Sequence, residues 1–194
     1  MHAESFRGLD VRQLHLESNR LTTLPAGVFA GLTVKQLYLQ NNHLTQLHAE
    51  SFRDLFVTHL HLESNRVTTL PAGLFASLKV KQLYLQSNNL TQLDPDSFRG
   101  LRMNRNGVLD ISQNKLQTLP PNVFDGLELD RLGYGGILDM SQNKLQALHA
   151  ETFHGLVFGE RGILDMSQNK LQVLHADTFH GLTSYSHSKL DMSQ

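Results

Sequence analysis

The chain contains no cysteine. Disulfides, thiolate chemistry and zinc–thiolate sites are therefore excluded. It also lacks an excess of either charge, with 17 Lys and Arg against 18 Asp and Glu in 194 residues. The balance holds in both halves: 8 basic and 8 acidic residues up to Ser97, then 9 and 10. No basic face follows, so nucleic acid is not an expected partner. No apolar run approaches the ~20 residues of a membrane span, so none is expected in a membrane. The opening stretch MHAESFRG has no apolar signal-peptide core, and nothing else fixes a compartment. GYGG at 133–136 lacks the strand-to-helix context of a phosphate loop. Ser, His and Asp all recur, but no nucleophile elbow or oxyanion loop accompanies them. No catalytic residue, cofactor or small-molecule substrate is expected.

What the chain has is repetition. LHLESNRLTTLPAGVF (14–29) returns as LHLESNRVTTLPAGLF (60–75). Residues 2–47 and 48–93 align without a gap and differ at 10 of 46 positions. Each such unit is itself two units of 23 residues carrying L-x-L-x-x-N-x-L-x-x-L-x-x-x-x-F-x-x-L. One asparagine column runs through Asn19, Asn42, Asn65, Asn88, Asn114, Asn143 and Asn169. One phenylalanine column runs from Phe6 through Phe29, Phe52, Phe75, Phe98, Phe124, Phe153 and Phe179. Asparagine spacing is 23, 23, 23, 26, 29 and 26, with no linker between units.

Each position has a physical task. In QLHLE, Leu14 and Leu16 alternate with polar residues, the period of a short strand buried on one face. Asn19 follows where the strand turns away, and its amide both donates and accepts, so it suits backbone groups left unpaired by a tight turn. Leu21 and Leu24 return inward, Pro25 fixes the exit, and PAGVFAGL predicts a loose, partly 3₁₀ back wall. One coil cannot bury its own inner face, so neighbouring coils must, with Phe on Phe and Asn on Asn.

These strings resemble the leucine-rich repeat of the typical extracellular subtype. LTTLPAGVF is similar to lamprey variable lymphocyte receptors and, more loosely, to Toll-like receptors and Slit. The resemblance implies an α/β fold: a leucine-rich-repeat solenoid, or horseshoe, with short parallel strands on the concave face and mostly irregular or 3₁₀ convex segments. It implies one domain of about eight coils over residues 1–194. It also implies a binding role, usually for proteins, with no cofactor or reaction. The chain departs from the pattern in lacking cysteine caps, in repeats one residue short, and in an unusually clean duplication. Those departures point to an engineered scaffold without a native ligand; the alternative is a protein-binding module.

Strand alternation assigns the outward columns. The central one is His15, Tyr38, His61, Tyr84, Asp110, Asp139, Asp165 and Asp191. The first half thus offers aromatic anchors for a partner and the second a ladder of carboxylates. That ladder invites a cation or a basic partner, but L-D-x-S also lets Asp cap its own backbone. His59, His61 and Glu63 share a strand face and raise zinc or nickel. Positions i and i+2 lie nearly ~7 Å apart, so no metal is expected there. Extra residues enter at one place per coil, at 102–108, 128–137, 157–163 and 183–189. They are expected to project from one lateral edge, as binding loops bearing Arg102, Arg105, Tyr134, Phe158 and Arg161 or as spacers that alter coil size. Neither terminus carries a polar cap, and Leu9, Val11, Leu14, Leu16, Leu182, Leu190 and Met192 should be partly bare. Self-association through the ends is therefore an expected protein contact.

Overall fold

The computed structural model describes residues 2, 3 and 5–194, and the side chains of Asn104 and of 130–134 lie outside that description. The strands, in chain order, are β1 (Asp10–His15), β2 (Thr23–Leu24), β3 (Thr33–Tyr38), β4 (Gln46–Leu47), β5 (Phe56–His61), β6 (Lys79–Tyr84), β7 (Arg102–Asp110), β8 (Glu128–Tyr134), β9 (Ile137–Asp139), β10 (Ala147–Leu148), β11 (Val157–Glu160), β12 (Ile163–Asp165), β13 (Val173–Leu174) and β14 (Lys189–Asp191). Eight of them form one parallel sheet, ordered β1-β3-β5-β6-β7-β9-β12-β14. Each contributes one strand per coil, giving a solenoid of about eight turns.

Register follows the repeat. Leu14 pairs with Leu37, Leu37 with Leu60, Leu60 with Leu83 and Leu83 with Leu109. Leu109, Leu138, Leu164 and Leu190 continue the column. A slip of one residue would turn every inward leucine outward, so the buried face fixes the pairing. Behind the sheet, the rings of Phe6 to Phe179 form one continuous stack with centroids 5.5–6.2 Å apart. From Phe29 to Phe153 these rings are fully buried, whereas Phe6 and Phe179, in the first and last coils, are partly so.

The asparagine column holds one coil to the next. Asn42 donates through Nδ2 to the carbonyls of Leu39 in its own coil and Leu16 in the coil before, and its Oδ1 accepts from the Leu21 N–H. The same triple bond set recurs at Asn65, Asn88, Asn114, Asn143 and Asn169. Asn19, in the first described coil, is exposed and among the described residues donates only to the carbonyls of Leu16 and Glu17 in its own coil. The residue before each asparagine sits at positive φ: Ser18, Asn41, Ser64, Ser87, Gln113, Gln142 and Gln168, at 53–57°. A left-handed non-glycine residue costs about 1–2 kcal/mol, which the asparagine bonds offset.

The α/β expectation is corrected. Among the described residues there is no α-helix and no 3₁₀ helix; the back wall is a series of turns. The reason is visible in PAGVFAGL. Gly27 and Gly31 adopt φ of 65° and 73°, which breaks a right-handed helical run. Their N–H groups donate across to the carbonyls of Glu50 and Asp54 in the following coil instead of within their own coil. Two-stranded ladders β2–β4 and β10–β13 add to this inter-coil bonding.

Replacing Asn88 with alanine should orphan the Val67 N–H in a dry site and destabilise the protein by about 3 kcal/mol. Asn19→Ala should cost well under about 1 kcal/mol. Paired urea melts of the two variants check this, and equal losses would contradict the inter-coil role.

Candidate functional site

On the outer face of the sheet, His15, Tyr38, His61 and Tyr84 stack ring on ring, at centroid spacings of 4.6, 4.8 and 4.9 Å. The parallel strands set this interval, because in-register neighbours lie about 4.8 Å apart. Side-chain bonds fix the ring orientations. Glu17 and Glu63 bond the Nδ1 atoms of His15 and His61 at 2.9 and 3.1 Å, and the Tyr38 hydroxyl donates to Gln36. The His15 bond holds the Glu17 carboxyl below the usual carboxylate range. His15 is exposed and His61 only 19% so, which makes the stack deepen along the array. Burial pushes the Tyr84 hydroxyl up, with Glu63 and Asp110 adding to the effect.

Beside the rings runs the row Glu17, Gln40, Glu63 and Gln86. One oxygen of each is covered and accepts no hydrogen bond from the described residues. His59 lies between Gln36 and Gln82 in register, and burial lowers its pKa. Its Nδ1 is likewise covered and unbonded among the described residues. His59 and His61 do not converge on a metal site, and no cluster of three or more metal-ligating side chains occurs among the described residues.

Asp110, Asp139, Asp165 and Asp191 continue the ring column in register. Each uses Oδ1 to accept the N–H of the serine two residues on, at 2.9–3.0 Å. The ladder is thus a series of local backbone caps. Asp110 has its pKa raised, first by burial and then by Asp139 and Glu63, against the opposing Ser112 bonds. At the other end, Lys189 and Ser193 bond Asp191 and hold it far below the carboxylate range.

The inserted segments differ from projecting loops. In β7 the register breaks between Val80–Met103 and Gln82–Val108, so the additional residues bulge there. The next two insertions pair with each other as β8 and β11, a parallel ladder of their own. Phe158 is therefore corrected: only 2% exposed, it packs inside with Leu129, enlarging the core instead of facing a partner. Gly162 lets this happen, since a Cβ there would lie 2.6 Å from the Phe158 Cβ. Arg102, Arg105 and Arg161 are exposed, while the side chain of Tyr134 lies outside the described residues.

Against known proteins, the leucine rich repeat model matches residues 2–56 and 57–105, more than half of the chain. The chain belongs to the leucine-rich repeat family. No curated protein matches it. Among solved structures, it resembles a chain in the glycosylated form of the Drosophila Toll–Spatzle complex, a molecular hub in development and innate immunity. That likeness has a TM-score of 0.55 at 24% identity, and so concerns the fold. It takes in 96% of this chain but 28% of that one.

The leucine-rich repeat pattern concealed one feature. Before each phenylalanine stands either Val or Leu, or a hydroxyl residue. Ser51, Ser97 and Thr178 are buried and donate to the carbonyls of Leu24, Leu70 and Leu148 in the preceding coil. The alternation of V-F with S-F and T-F was the available signal.

Asp110 supplies a pH test. A carboxyl with a raised folded pKa opposes folding while ionised. That penalty is complete above the folded pKa and gone below the ordinary carboxylate value. Asp110→Asn keeps an acceptor for Ser112 but no charge. It should melt above the wild type at pH 7, with the gap closing on acidification. A gap that widens as pH falls would contradict the assignment.

Proposed function

We propose that this leucine-rich repeat chain is a non-enzymatic protein-binding module that docks its partner on the outer face of the sheet. The observation that carries the reading is the preformed ring stack His15–Tyr38–His61–Tyr84. Aromatic side chains supply most interface energy when they are pre-ordered, because little rotamer freedom remains to be lost. The adjoining carboxylates, Asp110 to Asp191, give the face a polar extension. The structural relative belongs to a protein complex, which lends this class of function further support.

A second reading, a self-associating engineered scaffold without a ligand, draws on two observations. The units at 2–47 and 48–93 differ at only 10 of 46 positions. In the last coils Val173, Leu174 and Met192 are 39–51% exposed around a cleft of about 240 Å³ that also includes Leu171, and Leu190 is exposed as well.

Immobilised wild type and the Tyr38→Ala/Tyr84→Ala double variant separate these readings. The binding-module reading expects a captured protein whose affinity falls about 10- to 100-fold in the double variant. Identical capture by both would overturn it. Absence of any captured protein, with concentration-dependent sedimentation, would favour the scaffold. A monomer at high micromolar concentration would remove self-association.

A further inference from the structure

The two near-identical units diverge in a patterned way. His15 and His61, Tyr38 and Tyr84, Glu17 and Glu63, and Gln40 and Gln86 are pairwise the same. Three of the ten differing pairs, Asp10/Phe56, Arg12/Thr58 and Thr33/Lys79, instead fall whole on a single groove, which Ser77, the counterpart of Gly31, also lines. This groove, of about 770 Å³, runs along the N-terminal ends of β1, β3, β5 and β6. It is a different surface from the ring stack.

Phe56 stands in this groove 66% exposed. Other large exposed apolar side chains occur among the described residues only at Leu9 and from Val173 onward. The fold does not require an aromatic there, since the matching unit places Asp10 at the same point of the coil and Thr33 pairs with both. An exposed apolar side chain is left in water at the expense of roughly 1.5–3 kcal/mol of burial.

The surroundings are cationic. Arg12, Lys35 and Lys79 line the groove, and Arg102 pairs with Lys79 in register on the next strand. All four are exposed, and none makes an ion pair within 4.0 Å among the described residues. Asp10 is the one acidic residue of the groove, and Glu128 lies beyond Arg102 in an adjoining cleft.

We propose that this edge is a second docking surface, which takes an acidic protein segment carrying an apolar side chain against Phe56. Carboxylates flanking that side chain would meet Lys35, Lys79 and Arg102. Ring burial supplies affinity, and the cations supply orientation and speed of encounter.

The test is a displayed library of random 12-residue peptides, panned on the wild type and counter-selected on Phe56→Asp, the residue type of the matching unit. Enriched peptides should carry net negative charge around an apolar residue. Fluorescence anisotropy should show them binding Phe56→Asp at least tenfold more weakly and Lys79→Thr severalfold more weakly. Tyr38→Ala/Tyr84→Ala should leave them unaffected, and circular dichroism melts of Phe56→Asp should match the wild type. No enrichment over Phe56→Asp, or enrichment of neutral or basic peptides, would overturn the proposal. So would a 12-mer single-stranded oligonucleotide that binds as tightly and is lost in Phe56→Asp.

Discussion

The whole structure depends on a side-chain amide that serves two coils at once. After each sheet strand the chain turns through a left-handed residue and leaves carbonyls and an N–H pointing at nothing in its own coil. The asparagine that follows satisfies its own turn and reaches back to the coil before. A buried polar backbone group without a partner costs about 1–3 kcal/mol, so the arrangement is stable only where the next coil is present. The phenylalanine stack imposes the same condition on the apolar side. Each ring is covered by the ring of a neighbour, and the first and last rings are only partly covered. Polar and apolar requirements therefore coincide in one repeat length.

Much of this was legible in the sequence because the repeat is so regular. Asn19 to Asn169, Phe6 to Phe179 and the leucine pairs all fall at fixed intervals, and a period constrains every residue that shares it. The back wall was less legible. PAGVFAGL has the composition of a 3₁₀ segment, and Val28, Ala30 and Leu32 do bond three residues back, but the Gly27 and Gly31 N–H groups bond the neighbouring coil and break the run into turns, a choice that depends on tertiary proximity. Phe158 was misread for a related reason. An insertion looks like a loop when taken alone, and only the pairing of Val157–Glu160 with Glu128–Tyr134 turns it into part of the core. The hydroxyls of Ser51, Ser97 and Thr178 were overlooked because alternation between a polar and an apolar residue reads as tolerance. At Ser51, Ser97 and Thr178 the polar choice is in fact a hydrogen bond to the preceding coil.

The same stacking gives the surface its character. Register pinned by buried leucines places like residues at about 4.8 Å intervals on the outer face, so His15, Tyr38, His61 and Tyr84 are ordered before any partner arrives. Carboxylates in the continuing column are tied to their own backbone, and Asp191 is paired with Lys189 as well, which helps four aspartates stand in register. Residues at the strand N-termini escape both constraints. There the two duplicated units diverge and Phe56 stands among cations, a freedom that a repeat scaffold leaves to its edges.

The central claim is that a coil has no stability of its own and acquires it from its neighbours. Chemical denaturation of fragments 2–47 and 2–93 beside the full chain tests this most directly. The account predicts an unfolded 2–47, a 2–93 with a low midpoint and a full chain with a clearly higher one. A folded 2–47 with the midpoint of the full chain would contradict it.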